Sequence, residues 1–165
     1  MVKKMSVPLF LLFLLSILAF TSIGKVNFSG EWKLDKEQSN LSDSPLYLSK
    51  IVINQQEKSV LTTRTNMNQY GEQYPFDEEI TLDGEESEIV IYEMTRRTRA
   101  RWSDDGKTLL IKSKTKYWGN SGEQEFTVDE TWGLDKKGEI LSIDFDVKTV
   151  DGTNTGTYLY KKAEE

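Results

Sequence analysis

From residue 25 onward, apolar residues recur at every second position in short runs, and turn residues split the runs every 8–15 positions. A period of two marks half-buried strands, and evenly spaced short strands mark an all-β barrel or sandwich. The runs are Phe28–Leu34, Leu48–Asn54, Val60–Met67, Phe76–Leu82, Glu88–Glu93, Arg96–Trp102, Thr108–Trp118, Glu123–Leu134, Ile140–Val150 and Thr155–Lys162. Between them stand "QQEK", "LDGEE", "SDDG", "WGNSGE", "LDKKGE" and "VDGT", all turn formers. The longest irregular stretch is "EQSNLSDSP" (Glu37 to Pro45), a loop with room for one helical turn. No long 3.6-residue apolar period appears. The other connections are short, so consecutive strands should pair antiparallel. The expected fold is an antiparallel meander β-barrel of about eight to ten strands.

The turns predict registers in the C-terminal half. With "GNSG" as a loop, Lys116 faces Glu125 and Lys112 faces Asp129 on one side. Ile111, Ser113 and Thr115 then share the other side with Phe126, Val128 and Glu130. With "DKKG" as the next loop, Val128 faces Phe145 and Trp132 faces Leu141. With Asp151–Gly152 as a two-residue turn, Phe145 faces Tyr158 and Ile143 faces Tyr160. One continuous apolar face results, and a one-residue slip would invert it. Extending through "SDDG" places Arg96, Thr98 and Ala100 inside, opposite Ser113, Ile111 and Leu109.

Two inward positions break the apolar pattern, Arg96 and Glu130. An unpaired buried charge costs several kcal/mol, so each must be paired, wet or near a rim. One reading is a polar anchor inside an apolar cavity whose wall is Val128, Phe145, Tyr158 and Tyr160. The other is a bulge near Met94–Arg96 that turns Arg96 outward, with Glu130 bonded to a hydroxyl. By this count Glu130 is the only inward acid, and a single acid is not the pair that carboxylate-based hydrolysis needs. The expectation is therefore a non-enzyme.

Composition narrows the chemistry. There is no histidine and no cysteine, which removes Ser-His-Asp and Cys-His machinery and zinc sites built on those ligands. "DGEESE" and "DKKGE" lack calcium-loop spacing, so no metal is expected; nor is a cofactor. Residues 1–24 read as a cleaved signal peptide: Lys3 and Lys4, the apolar "VPLFLLFLLSILAF", then "SIG" with cleavage after Gly24. Val7–Ile23 is short for a membrane span. The remaining domain, 25–165, loses two lysines and moves from −6 to −8. It should repel nucleic acid, and it should be secreted or periplasmic. Arg97, Arg99 and Arg101 in "TRRTRARW" read as a solvated outer face, Trp32, Trp102 and Trp132 as core, and Trp118 as a hairpin tip near a barrel mouth.

"FSGEWKL" (Phe28 to Leu34) resembles the Gly-x-Trp first strand of lipocalins and fatty-acid-binding proteins. With "LDG" at Leu82–Gly84, "ARWSDDGKTLLIKS", "TWGLDKKGEIL" and "GTYLYKK", the chain is similar to small secreted bacterial lipocalin-like proteins of the calycin type. The resemblance spans nearly all of 28–162. It implies that Trp32 is a plug at the closed barrel end, beneath a basic residue of the last strand. That strand offers Lys161 or Lys162 where lipocalins have arginine. The fatty-acid-binding pattern departs further: the segment after the first strand is too short for a helical lid, and Tyr158-Leu159-Tyr160 stands where its Arg-x-Tyr clamp belongs. The expected function is non-catalytic binding of a small hydrophobic or amphipathic molecule inside the barrel. The alternative is a filled barrel acting as an envelope interaction module. Cavity volume separates them, since a ligand needs about 300 Å³ or more.

Overall fold

A computed structural model describes residues 24–41, 46–119 and 122–163. Apart from Gly24, the expected signal peptide lies outside the described residues. Ten strands follow in order: β1 (Gly30–Leu34), β2 (Leu46–Gln55), β3 (Ser59–Asn68), β4 (Gln73–Thr81), β5 (Ser87–Ile91), β6 (Met94–Trp102), β7 (Thr108–Gly119), β8 (Gly122–Leu134), β9 (Ile140–Thr149) and β10 (Gly152–Lys162). They form one antiparallel sheet in the order β4-β3-β2-β1-β10-β9-β8-β7-β6-β5. The meander closes through β1 and β10, with Trp32 opposite Lys162 and Leu34 opposite Tyr160. No helix occurs among the described residues. The all-β meander barrel expected from the alternation is the observed fold.

Closure is incomplete at one place. β4 and β5 are the sheet's two edges, and no backbone ladder joins them. Side chains stitch this seam instead. Glu78 of β4 accepts from Arg96 Nε (3.0 Å) and Thr98 Oγ1 (2.5 Å) of β6. The Tyr92 hydroxyl donates to the Pro75 carbonyl, and the Tyr92 ring meets Tyr74 edge-on at 6.4 Å.

The β7–β8 register is as expected, Lys112 opposite Asp129 and Lys116 opposite Glu125. Their ammonium groups reach diagonally as well: Lys116 bonds Glu123 (2.8 Å) and Lys114 bonds Glu125 (2.9 Å). Three other hairpins differ from expectation by two residues. Glu130, not Val128, faces Phe145, and Trp132 faces Ile143. Phe145 faces Gly156, while Ile143 faces Tyr158. Arg96 faces Thr115, and Ala100 faces Ile111. The cause is where each turn closes. Asp135 pairs its amide with the Ile140 carbonyl and its carboxylate caps Glu139 and Ile140. Ser103 does the same with Thr108. Val150–Asp151 rather than Asp151–Gly152 forms the last turn. A shift of two is one full side-chain period, so every residue keeps its face.

The bulge expected near Met94–Arg96 is absent. Tyr92 and Glu93 form a two-residue mirror-image turn with φ of 47° and 68°, and the ladder runs unbroken from Ile91–Met94 onward. Arg96 therefore points inward. The irregularity lies instead in β2 between Leu48 and Lys50, so inward positions pass from Leu48 to Ile51 and Ile53.

The barrel is packed in one half. Phe28, from the segment before β1, is fully buried there. It stacks on Trp102 (5.8 Å) and meets Trp132 edge-on (6.0 Å). Trp32 is also fully buried, and its indole N–H donates to the Phe28 carbonyl at 2.9 Å. Lys162 Nζ sits 5.7 Å from the Trp32 ring centre. The Lys162 ammonium thus lies within cation–π reach of the Trp32 indole. Lys161 points elsewhere, to Asp35 at 2.6 Å.

Candidate functional site

Above the packed half the barrel is hollow. The space is about 790 Å³ and opens at the end carrying the β3–β4, β5–β6, β7–β8 and β9–β10 turns. Apolar side chains make most of its wall, among them Leu48, Phe76, Met94, Phe126, Val128 and Phe145. They converge because each is an inward position on its own strand. Phe145 and Tyr158 stack at 4.6 Å on one side of the wall. Phe145 reaches over Gly156, where any side chain would meet its ring and the Asn40 carbonyl. The filled-barrel alternative fails for this half; only the Trp32 end is solid.

The base of the cavity is polar. Arg64 of β3 donates to both oxygens of Glu130 on β8, at 2.7 and 2.9 Å. Arg64 Nε also lies 3.6 Å from Glu78, which binds Arg96 from the other side. The Trp132 indole N–H donates to Glu130 at 3.1 Å, and the Arg64 guanidinium lies 5.3 Å from the Trp132 ring centre. All four charged side chains are at most 8% exposed. Burial by itself would push the Glu130 carboxyl up. The charge and hydrogen bonds of Arg64 outweigh that, with help from Arg96 and Trp132, and hold it below the ordinary carboxylate value. Burial likewise opposes the Arg64 charge, but Glu130 and Glu78 raise its pKa above the usual guanidinium value. Burial pushes the Tyr158 hydroxyl up to about 12.

Of the residues expected to touch a ligand, Arg96, Val128, Glu130, Phe145 and Tyr158 line the cavity. Tyr160 does not. It is fully buried beneath the base, and its hydroxyl donates to the Leu48 carbonyl at 2.9 Å. Trp32 lies in the packed half, outside the cavity lining. The count of a single inward acid was too low, because Glu78 is also inside, 3% exposed. Both acids are held in ion pairs with arginine.

Arg64 and Glu78 escaped the sequence reading. Their signal was present: Val60-x-Thr62-x-Arg64 and Phe76-x-Glu78-x-Ile80 alternate in step with buried neighbours. The outer arginines behave as a solvated face, Arg97 on Glu88 (2.6 Å) and Arg99 on Glu86 (3.2 Å). Trp118 is 83% exposed at its hairpin tip. Tyr70, Tyr92 and Val150 are exposed on the other turns of the same rim. No group of residues able to hold a metal ion occurs among the described residues.

No family model matches the chain, and no curated protein matches it. Among solved structures, the chain is similar to the crystal structure of zebrafish ileal bile acid-binding protein complexed with cholic acid. The TM-score is 0.50 and the identity 14%, over 82% of this chain and 98% of that one. At that identity the likeness speaks for the fold alone: a nearly closed, ten-stranded antiparallel β-barrel.

Proposed function

We propose that this chain is a non-catalytic binding protein that holds a small hydrophobic or amphipathic molecule in its barrel and works outside the cytoplasm. The observation that carries the reading is the cavity of about 790 Å³, apolar along its wall and polar at its base. That volume falls within the range of small-molecule sites, and one apolar wall with a few convergent polar groups is their usual composition. The similar zebrafish protein was crystallised with cholic acid, which supports an amphipathic occupant here. Export rests on residues 1–24 alone.

Native mass spectrometry of the purified protein tests binding through a retained small molecule, and displacement of a fluorescent lipid probe tests it in solution. Absence of a retained mass together with no binding by any lipid class would refute the container. Export is checked by the mass of the protein recovered outside the cytoplasm, which should begin at Lys25. Recovery only inside the cell with residues 1–24 intact would remove that part of the proposal.

A further inference from the structure

The charges facing the cavity can be counted. The lining contains three charged side chains, Arg64, Arg96 and Glu130, and Glu78 sits directly behind them. Two guanidinium groups meet two carboxylates, so the base carries no net charge. The carboxylate acceptors are mostly engaged; Glu78 Oε2 has no hydrogen bond but lies 3.6 Å from Arg64 Nε. Both Glu130 oxygens take Arg64, and Glu78 Oε1 takes Arg96 Nε and Thr98. The charged base still offers donor capacity toward the cavity, because Arg96 hydrogen-bonds through Nε and leaves its two terminal nitrogens free.

Resting on the container reading, we infer that the cavity selects amphiphiles whose buried head group is an uncharged hydrogen-bond acceptor: an alcohol, ester, ketone or amide. Such a group takes the Arg96 N–H bonds without bringing charge into the barrel. A carboxylate would also find Arg96, but Glu78 already balances that guanidinium and Glu130 lies close by. The cluster therefore has no surplus positive charge to offset desolvation of an anion. An alkylammonium has the opposite difficulty: a charge to bury where both carboxylates are already paired with arginine.

The test uses one chain length with four head groups, namely dodecanol, methyl laurate, laurate and dodecylamine, each displacing the neutral dye Nile red from the whole protein. At pH 8 the alcohol and ester should displace the dye at concentrations about tenfold or more below those of laurate and the amine. Laurate should gain on dodecanol as the pH is lowered to 5 and the acid takes up its proton. Laurate displacing as well as dodecanol at pH 8 would overturn the inference while leaving the container intact. A bound dye that none of the four displaces would overturn the inference and leave the container; no binding of the dye or of any of the four would remove both. Glu78→Gln leaves one uncompensated guanidinium, so it should raise the affinity of laurate relative to dodecanol about tenfold. An unchanged ratio would also overturn the inference. If that variant does not fold, the head-group series on the native chain decides.

Discussion

Replacing Arg64 by Met is the sharpest perturbation of this barrel. Met fills similar space, so the change removes a charge more than a volume. It strips Glu130 of two hydrogen bonds at 2.7 and 2.9 Å and takes from Glu78 a guanidinium 3.6 Å away. Arg64 is 4% exposed and Glu130 8%, so solvent screening does not dilute the loss. Two charge-assisted bonds at about 1.5–3 kcal/mol each agree with the about 3–5 kcal/mol measured when one partner of a buried pair is removed. The expected cost at pH 7 is therefore about 3–5 kcal/mol. Urea unfolding followed by tryptophan fluorescence measures it, with Trp32 and Trp132 as buried reporters. The pH dependence gives a second reading. In the native chain the folded Glu130 pKa lies below its ordinary 4.5. Its stabilisation is present above that value and lost as pH falls through the folded pKa. Without Arg64, burial dominates and the Glu130 pKa should rise above 4.5. The variant then loses stability as pH climbs from the unfolded to the folded pKa. The difference between the two proteins should thus be largest near neutrality and shrink by pH 4. A cost below about 1 kcal/mol, or the same cost at pH 4 and pH 7, would refute the buried pair.

Three further outcomes are expected. Glu93→Asn should stabilise the chain by about 0.5–1 kcal/mol in the same unfolding assay, because φ at Glu93 is 68° and Asn tolerates the left-handed region better. Gly156→Ala should destabilise by about 1–3 kcal/mol, since the new Cβ meets the Asn40 carbonyl and the Phe145 ring; pushing Phe145 into the cavity should also weaken dye binding. Phe28→Ala should cost about 3–5 kcal/mol, because a fully buried ring wedged between Trp102 and Trp132 leaves a cavity in the packed half. A loss under 1 kcal/mol there would mean that the segment before β1 is not part of the core.

The ten strands were legible because alternation is a local property. Each run declares its own faces, and consecutive hairpins carry the declaration from one strand to the next. Even the three mistaken registers left every side chain on its correct face, since the error was one full period in each case. Arg96 and Glu130 could therefore be marked as inward charges without knowing what they touch. Their partners were not legible. Arg64 and Glu130 are 66 residues apart on strands that are not sheet neighbours, and Glu78 and Arg96 meet across a seam with no ladder. Sheet curvature and the β1–β10 closure bring them together, and neither leaves a local mark. The division of the barrel into a packed end and a hollow end is likewise tertiary. Inward residues alternate in the same way in both halves; in one of them Phe28, Trp32 and Trp132 pack together with the aliphatic core. Which residues face inward is readable from the order of residues alone, because side-chain direction follows the two-residue pleat. Tertiary structure decided which inward residues meet and where space is left over, because both depend on how the whole sheet curls upon itself.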